Sequence, residues 1–175
     1  MRHNEIAVNI WQDYTNKLLD AGYEMIGSGY ASEVYAKPGD PSVLKVFDAD
    51  DYAYRAFHEI ALEHRGNPHF PRFGKVARID DSNMAVVIER LRSYDGEDRL
   101  LDDLKMLIWH FQSGQGNGDR LPKVDAQLLD ACRIIGIMAR NVPTKNGRGR
   151  KSGIDMKAAN VMMRGETLVF IDPIN

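Results

Sequence analysis

The chain has 175 residues, 43% of them apolar and 27% charged, with a formal net charge of -2. That length holds one sizeable core or two small lobes, and so even a charge balance creates no global field toward nucleic acid or membrane. The single cysteine, Cys132, excludes a disulfide framework or a paired-cysteine zinc site within one chain and fits a reducing compartment.

Residues 4–20 place Ile6, Ile10, Tyr14, Leu18 and Leu19 at helical spacing, and Gly22 ends that helix. The opening "MRHNEIAVNIWQDY" carries polar groups within its apolar run, so it does not read as a secretory signal. No apolar stretch reaches the roughly 20 residues that span a bilayer. A cytoplasmic protein without membrane partners is expected. Residues 23–36 read as strand, glycine turn and strand, and "PSVLKVF" as a third strand over 42–47. A helix follows, with Asp48 or Asp50 as its cap and Tyr52, Ala56, Phe57, Ile60 and Ala61 as its apolar face; Gly66 and Pro68 stop it. "RFGKVARID" and "NMAVVIERL" predict two antiparallel strands joined by "DDSN".

Beyond a connector near 89–96 the pattern turns helical. "EDRLLDDLKMLIWHFQ" puts Leu100, Leu104, Leu107, Ile108 and Phe111 on one face, and "SGQGNGDRLP" is a loop. "KVDAQLLDACRIIGIMARNV" is nearly all apolar, a buried helix closed by Pro143 in which Cys132 is a small hydrophobe. A basic loop, "TKNGRGRKSG", precedes a hairpin: "VMMR", the turn "GE", and "TLVFID". The expected class is α+β: a small antiparallel sheet with one inserted helix, then a reduced helical lobe.

Phosphoryl transfer from a nucleoside triphosphate needs close backbone approach to phosphate, a cation, oxygen ligands for magnesium and a carboxylate near the attacking hydroxyl. Gly27 and Gly29 permit close approach, although alone they also suit a plain hairpin turn. Lys45 lies between apolar neighbours, with Val43 and Phe47 on its face of the strand and Leu44 and Val46 on the other. An edge-strand lysine whose head reaches water is the alternative. Glu59 and Glu63 flank the apolar face of the next helix, and either can reach inward to Lys45, Glu59 being preferred. Asp155, Lys157 and Asn160 stand in the spacing D-x-K-x-x-N. That spacing lets one loop hold a carboxylate at the attacking hydroxyl, an ammonium at the γ-phosphate and an amide oxygen at magnesium; a polar turn suits the same residue types. Asp172 ends the hairpin strand, where it can return to the side of Asn160.

In order, the glycine turn, strand lysine, helix glutamate, D-x-K-x-x-N segment and hairpin aspartate resemble the protein-kinase signature set. Over roughly residues 20–175 the chain resembles protein-kinase-like folds and, more narrowly, the early serine/threonine kinases of T7-type bacteriophages. "AGYEMIGSGYASEVYAKPGDPSVLKV", "AYRAF" and "IDMKAANVMMRGETLVFIDP" carry the likeness. The resemblance implies a two-lobed fold: residues 1–22 as an N-terminal helix, 23–90 as a first lobe with glycine loop, strand lysine, helix and hinge, and 91–175 as a reduced second lobe. It implies ATP and Mg2+. Gly27, Ser28, Gly29 and Ser32 would cover phosphate, and Lys45, paired with Glu59, would contact it. Val34 would pack the adenine ring, with Glu89 to Leu91 as the hinge beside it. Asp155 would be the base or hydroxyl orienter, Lys157 would neutralise the γ-phosphate, and Asn160 and Asp172 would hold magnesium.

The resemblance has gaps. Ser32 replaces the third loop glycine, and Gly153-Ile154 stands where His-Arg usually precedes the aspartate. The sequence ends three residues after Asp172, so neither activation-loop regulation nor the phage family's basic extension is expected of it. A homodimer or another partner is expected to shield the short second lobe. Lys145, Arg148, Arg150 and Lys151 make a solvated basic loop or an anion site; nucleic acid has no support, because the loop lacks interleaved aromatics. The leading expectation is a kinase acting on host proteins, in the host cytoplasm, and on itself. A pseudokinase-like binding module and a small-molecule phosphotransferase are the alternatives.

Overall fold

In the computed structural model, residues 13–114, 121–142 and 153–175 are described. The chain divides into two units, Met1–Asp51 with Phe73–Arg90, and Tyr52–Arg72 with Leu91–Asn175. Residues 4–12 of the expected first helix, most of the glycine-rich loop after the third, Pro143 and the basic loop lie outside the described residues.

The first unit is a five-stranded antiparallel sheet. Its strands are β1 (Glu24–Ser28), β2 (Ser32–Ala36), β3 (Ser42–Asp48), β4 (Phe73–Arg78) and β5 (Asn83–Glu89), in the order β1-β2-β3-β5-β4. Short carboxylates shape two of its turns. Asp40 Oδ1 accepts from the backbone N–H of Ser42 at 2.9 Å, and Asp80 Oδ1 accepts from Ser82 and Asn83 at 2.7 and 2.9 Å. Helix α1 (13–20) covers one face, with Tyr14 and Leu18 against Tyr35, Leu44, Val46 and Ala85. Leu19, expected on that apolar face, is 49% exposed; the sheet takes only the stripe centred on Leu18.

The second unit contains α2 (Tyr52–Glu63), α3 (Asp98–Ser113) and α4 (Ala126–Asn141), and a small sheet of β6 (Arg92–Ser93), β7 (Val161–Arg164) and β8 (Thr167–Phe170). Helix α2 buries Ala53, Tyr54, Phe57, His58 and Ala61, whereas Tyr52 points outward. The expected face was therefore rotated: Ala53, Tyr54 and His58 are buried, and Ala56 and Ile60 lie at its margin. Helix α4 buries one side, Leu128 to Ala139, but exposes Leu129 and Ile137, so it is not the wholly buried helix expected; Asp125 Oδ1 caps the amides of Gln127 and Leu128, both at 2.9 Å. Burial pushes the Cys132 thiol up to about 12. Arg140, in the last turn of α4, donates to the Gln112 carbonyl at 2.7 Å and to that of Phe111, so a cation covers the carbonyl end of α3. The class is α+β, an antiparallel sheet and a helical unit bearing a hairpin. Among the described residues no helix is long and apolar enough to cross a membrane.

Candidate functional site

In the first unit, register aligns Gly27, Val34, Lys45, Val86 and Val76 in one row across all five strands. Directly paired residues share a face, here the one opposite α1. β3 lies between β2 and β5, so Lys45 is not on an edge strand, and it is 7% exposed. The row sets one cation among flat apolar side chains, with a bare backbone at its β1 end.

The turn between β1 and β2 closes through Gly29 N–H to the Ser32 carbonyl at 2.7 Å. Neither Gly27 nor Gly29 has a left-handed φ. A Cβ at Gly27 would meet Val34 Cβ at 3.9 Å and one at Gly29 would meet Ser32 Oγ at 3.5 Å, ordinary contacts. The fold thus tolerates a side chain at both positions, and their bareness is not explained by the turn itself. Ser28 and Gly29 are exposed, and Ser32 and Val34 are half-buried. Beside this turn lies a hollow of about 440 Å³ lined by Glu33, Asp48, Asp50 and Asp81. Gly29 and Ser32 line the same hollow. Glu89 ends β5 of the first unit, and Leu91 belongs to the second.

In the second unit, Asp155, Lys157, Asn160 and Asp172 are brought together. Asn160, 8% exposed, donates through Nδ2 to the Asp155 carbonyl at 2.7 Å and to Asp155 Oδ2 at 2.8 Å. Lys157 Nζ meets the same Oδ2 at 2.8 Å. That hydrogen bond raises the Lys157 pKa, and the charges of Asp155 and Asp172 add to the shift. Backbone bonds fasten the group from behind. Asp155 N–H donates to the Pro173 carbonyl at 2.9 Å, Ile171 N–H to the Asn160 carbonyl at 3.0 Å, and Gly153 and Asn175 exchange bonds of 2.8 and 3.0 Å. Asp172 therefore sits between two residues tied to Asn160 and Asp155. A Cβ on Gly153 would fall 2.5 Å from Asn175 Oδ1. This clamp by residues 173–175 was not foreseen, since "PIN" carries no strand pattern.

Two oxygens remain. With Asp155 Oδ2 taken by two donors, Oδ1 accepts no hydrogen bond among the described residues, and neither does Asn160 Oδ1. An amide oxygen and a carboxylate, Asn160 and Asp172, form a hard-donor pair that suits magnesium. Among the described residues no three His, Cys, Asp or Glu side chains gather as a metal cage. Glu59 and Glu63 are exposed and take no ion pair among the described residues.

No protein-family model matches the chain, and no curated protein matches it. Among solved structures it is similar to the aminoglycoside phosphotransferase APH(4)-Ia at 13% identity and a TM-score of 0.36, covering 64% of this chain and 40% of that one. It is similar to the kinase PK-1 of Cydia pomonella granulovirus at 13% identity and a TM-score of 0.41, covering 97% and 57%. A protein of Haemophilus somnus 129PT assigned as a fructosamine-3-kinase gives 12% identity and a TM-score of 0.41, covering 86% and 65%. The chain thus spans less than two thirds of each of these proteins.

Proposed function

We propose that this chain is an ATP- and Mg2+-dependent phosphotransferase of protein-kinase-like type that phosphorylates serine or threonine hydroxyls of proteins, its own included. The carrying observation is Asp155. One carboxylate oxygen is fixed by Asn160 and Lys157, and the other is left to meet a hydroxyl. Asp155 Oδ1 orients the acceptor hydroxyl and takes its proton as the oxygen bonds to the γ-phosphorus; the bond to the β–γ bridging oxygen breaks and ADP leaves. Lys157 lies beside the transferred group and offsets its charge. Lys45 holds the α and β phosphates, Gly27, Ser28, Gly29 and Ser32 cover them, and Val34 and the hinge Glu89–Leu91 hold the base. Asn160 Oδ1 and the Asp172 carboxylate would hold magnesium, which when bound would neutralise phosphate oxygens. The sequence likeness to T7-type phage kinases supports host proteins as the acceptors.

The test is transfer of γ-labelled phosphate in a bacterial lysate with magnesium. Wild type is expected to label protein, with the rate falling about 10²- to 10⁴-fold in Asp155→Ala and also falling in Lys45→Ala. No label with wild type would sink the proposal. Label on a metabolite instead of protein would move the acceptor to a small molecule.

A further inference from the structure

The hairpin that bears Asn160 and Asp172 at its two ends is too small to hold itself. Its strands have four residues each, and β6 adds only two on one side. Such ribbons are marginal without support. The other edge, along β8, is taken by the loop that follows α2, "GNPHFP". Because Met162 and Val169 face each other across the ladder, Phe170 N–H and the Leu168 carbonyl point outward. His69 satisfies both: its carbonyl accepts from Phe170 at 3.0 Å, and its Nδ1 donates to Leu168 at 2.8 Å. The ring is buried, and its Nε2 lies 3.7 Å from Asp125, the cap of α4.

Arg164, the last residue of β7, grips the same loop. Nη1 donates to the Pro68 carbonyl at 2.7 Å and Nη2 to that of Phe70 at 3.0 Å. The loop is itself braced. Asn67 Oδ1 accepts from His69 N–H at 3.0 Å, Asn67 Nδ2 donates to the Gln127 carbonyl at 2.9 Å, and Phe70 packs on Phe57 of α2 with ring centroids 6.1 Å apart. The loop therefore serves as a fixed template for one edge of the hairpin.

We propose that His69 and Arg164 are positioning residues that hold the hairpin so that its ends, Asn160 and Asp172, keep the spacing a divalent cation requires. This rests on the cation role proposed above. The probe is Mn2+, titrated by electron paramagnetic resonance with a saturating non-hydrolysable ATP analogue. The proteins compared are wild type, Asp172→Asn, Arg164→Met, Arg164→Lys and His69→Phe. Arg164→Met and His69→Phe are expected to weaken Mn2+ binding about 10-fold, as loss of a group that orients a metal ligand does. Arg164→Lys should fall between, and analogue binding in EDTA should not change. If Arg164→Met fails to fold, His69→Phe and Arg164→Lys make the same comparison. Wild-type Mn2+ affinity in these variants, or equal weakening with and without metal, overturns the positioning role and leaves the cation site standing. No Mn2+ binding by wild type, or unchanged binding in Asp172→Asn, overturns the cation site and this role together.

Discussion

Asn160 does two jobs that one side chain can do only as an amide. Its nitrogen donates to Asp155 at 2.8 Å, and its oxygen is left for another partner. Asn160→Asp would keep the size and the oxygen, remove the donor and set a second carboxylate against the first in a buried position. Urea unfolding at neutral pH should show a loss of about 2 kcal/mol or more, since a charge-assisted bond is exchanged for repulsion. An equal loss in Asn160→Ala, which removes the donor without adding a charge, would argue that the lost bond and packing, not repulsion, set it. The spacing of Asp155, Lys157 and Asn160 was legible in the sequence because the three lie on one short segment. That one oxygen of Asp155 would take both donors and leave the other open was not legible, because it depends on how residues 171–175 fasten the loop.

At the scale of elements, Gly136 sets how closely α3 and α4 approach. A Cβ there would lie 2.6 Å from the Ile108 carbonyl oxygen and 2.7 Å from Phe111 Cβ. Helix propensity alone favours alanine over glycine by about 1 kcal/mol, but backbone cannot step aside, and overpacking costs about 1–3 kcal/mol. Gly136→Ala is therefore expected to lower the urea midpoint; a raised midpoint would mean that the helices separate freely. At the start of α4, the Leu128 amide foremost, and after it the His69 charge, holds the Asp125 carboxyl below its ordinary 3.8. A depressed carboxylate contributes stability above its unfolded value, and that contribution disappears as pH falls through the lower folded value. Asp125→Ala should cost about 1 kcal/mol at neutral pH and nearly nothing in strong acid, by paired urea titrations. Strand and helix positions were legible because valine, tyrosine and leucine recur at the right periods. The buried face of α2 was not, because apolar residues surround most of that helix and His58 counts as polar in any pattern. Two-residue β6 carries no pattern at all.

The glycine turn and Lys45 belong to one unit, and Asp155, Asn160 and Asp172 to the other. Each set was legible separately: the first as an apolar strand interrupted by a cation, the second as polar residues at a fixed spacing. What sequence could not supply was the support within each unit, the row from Gly27 to Val76 or the loop beneath the hairpin, because register and hydrogen bonding link residues far apart in the chain. If both sets serve one nucleotide, binding must stabilise the molecule in proportion to ligand excess, and only in full when the metal is present. At about 100 times the dissociation constant the gain is about 2.7 kcal/mol. For a chain of this size, about 2–4 °C per kcal/mol makes that a rise of about 5–10 °C in the unfolding midpoint. Thermal scans with ATP and Mg2+ should show this rise in wild type. Asp172→Asn should lose the part that EDTA removes, and Lys45→Met should lose much of the part that EDTA leaves. An equal rise with EDTA present would detach the metal from the site, and the same rise in Lys45→Met would detach the first unit from the nucleotide.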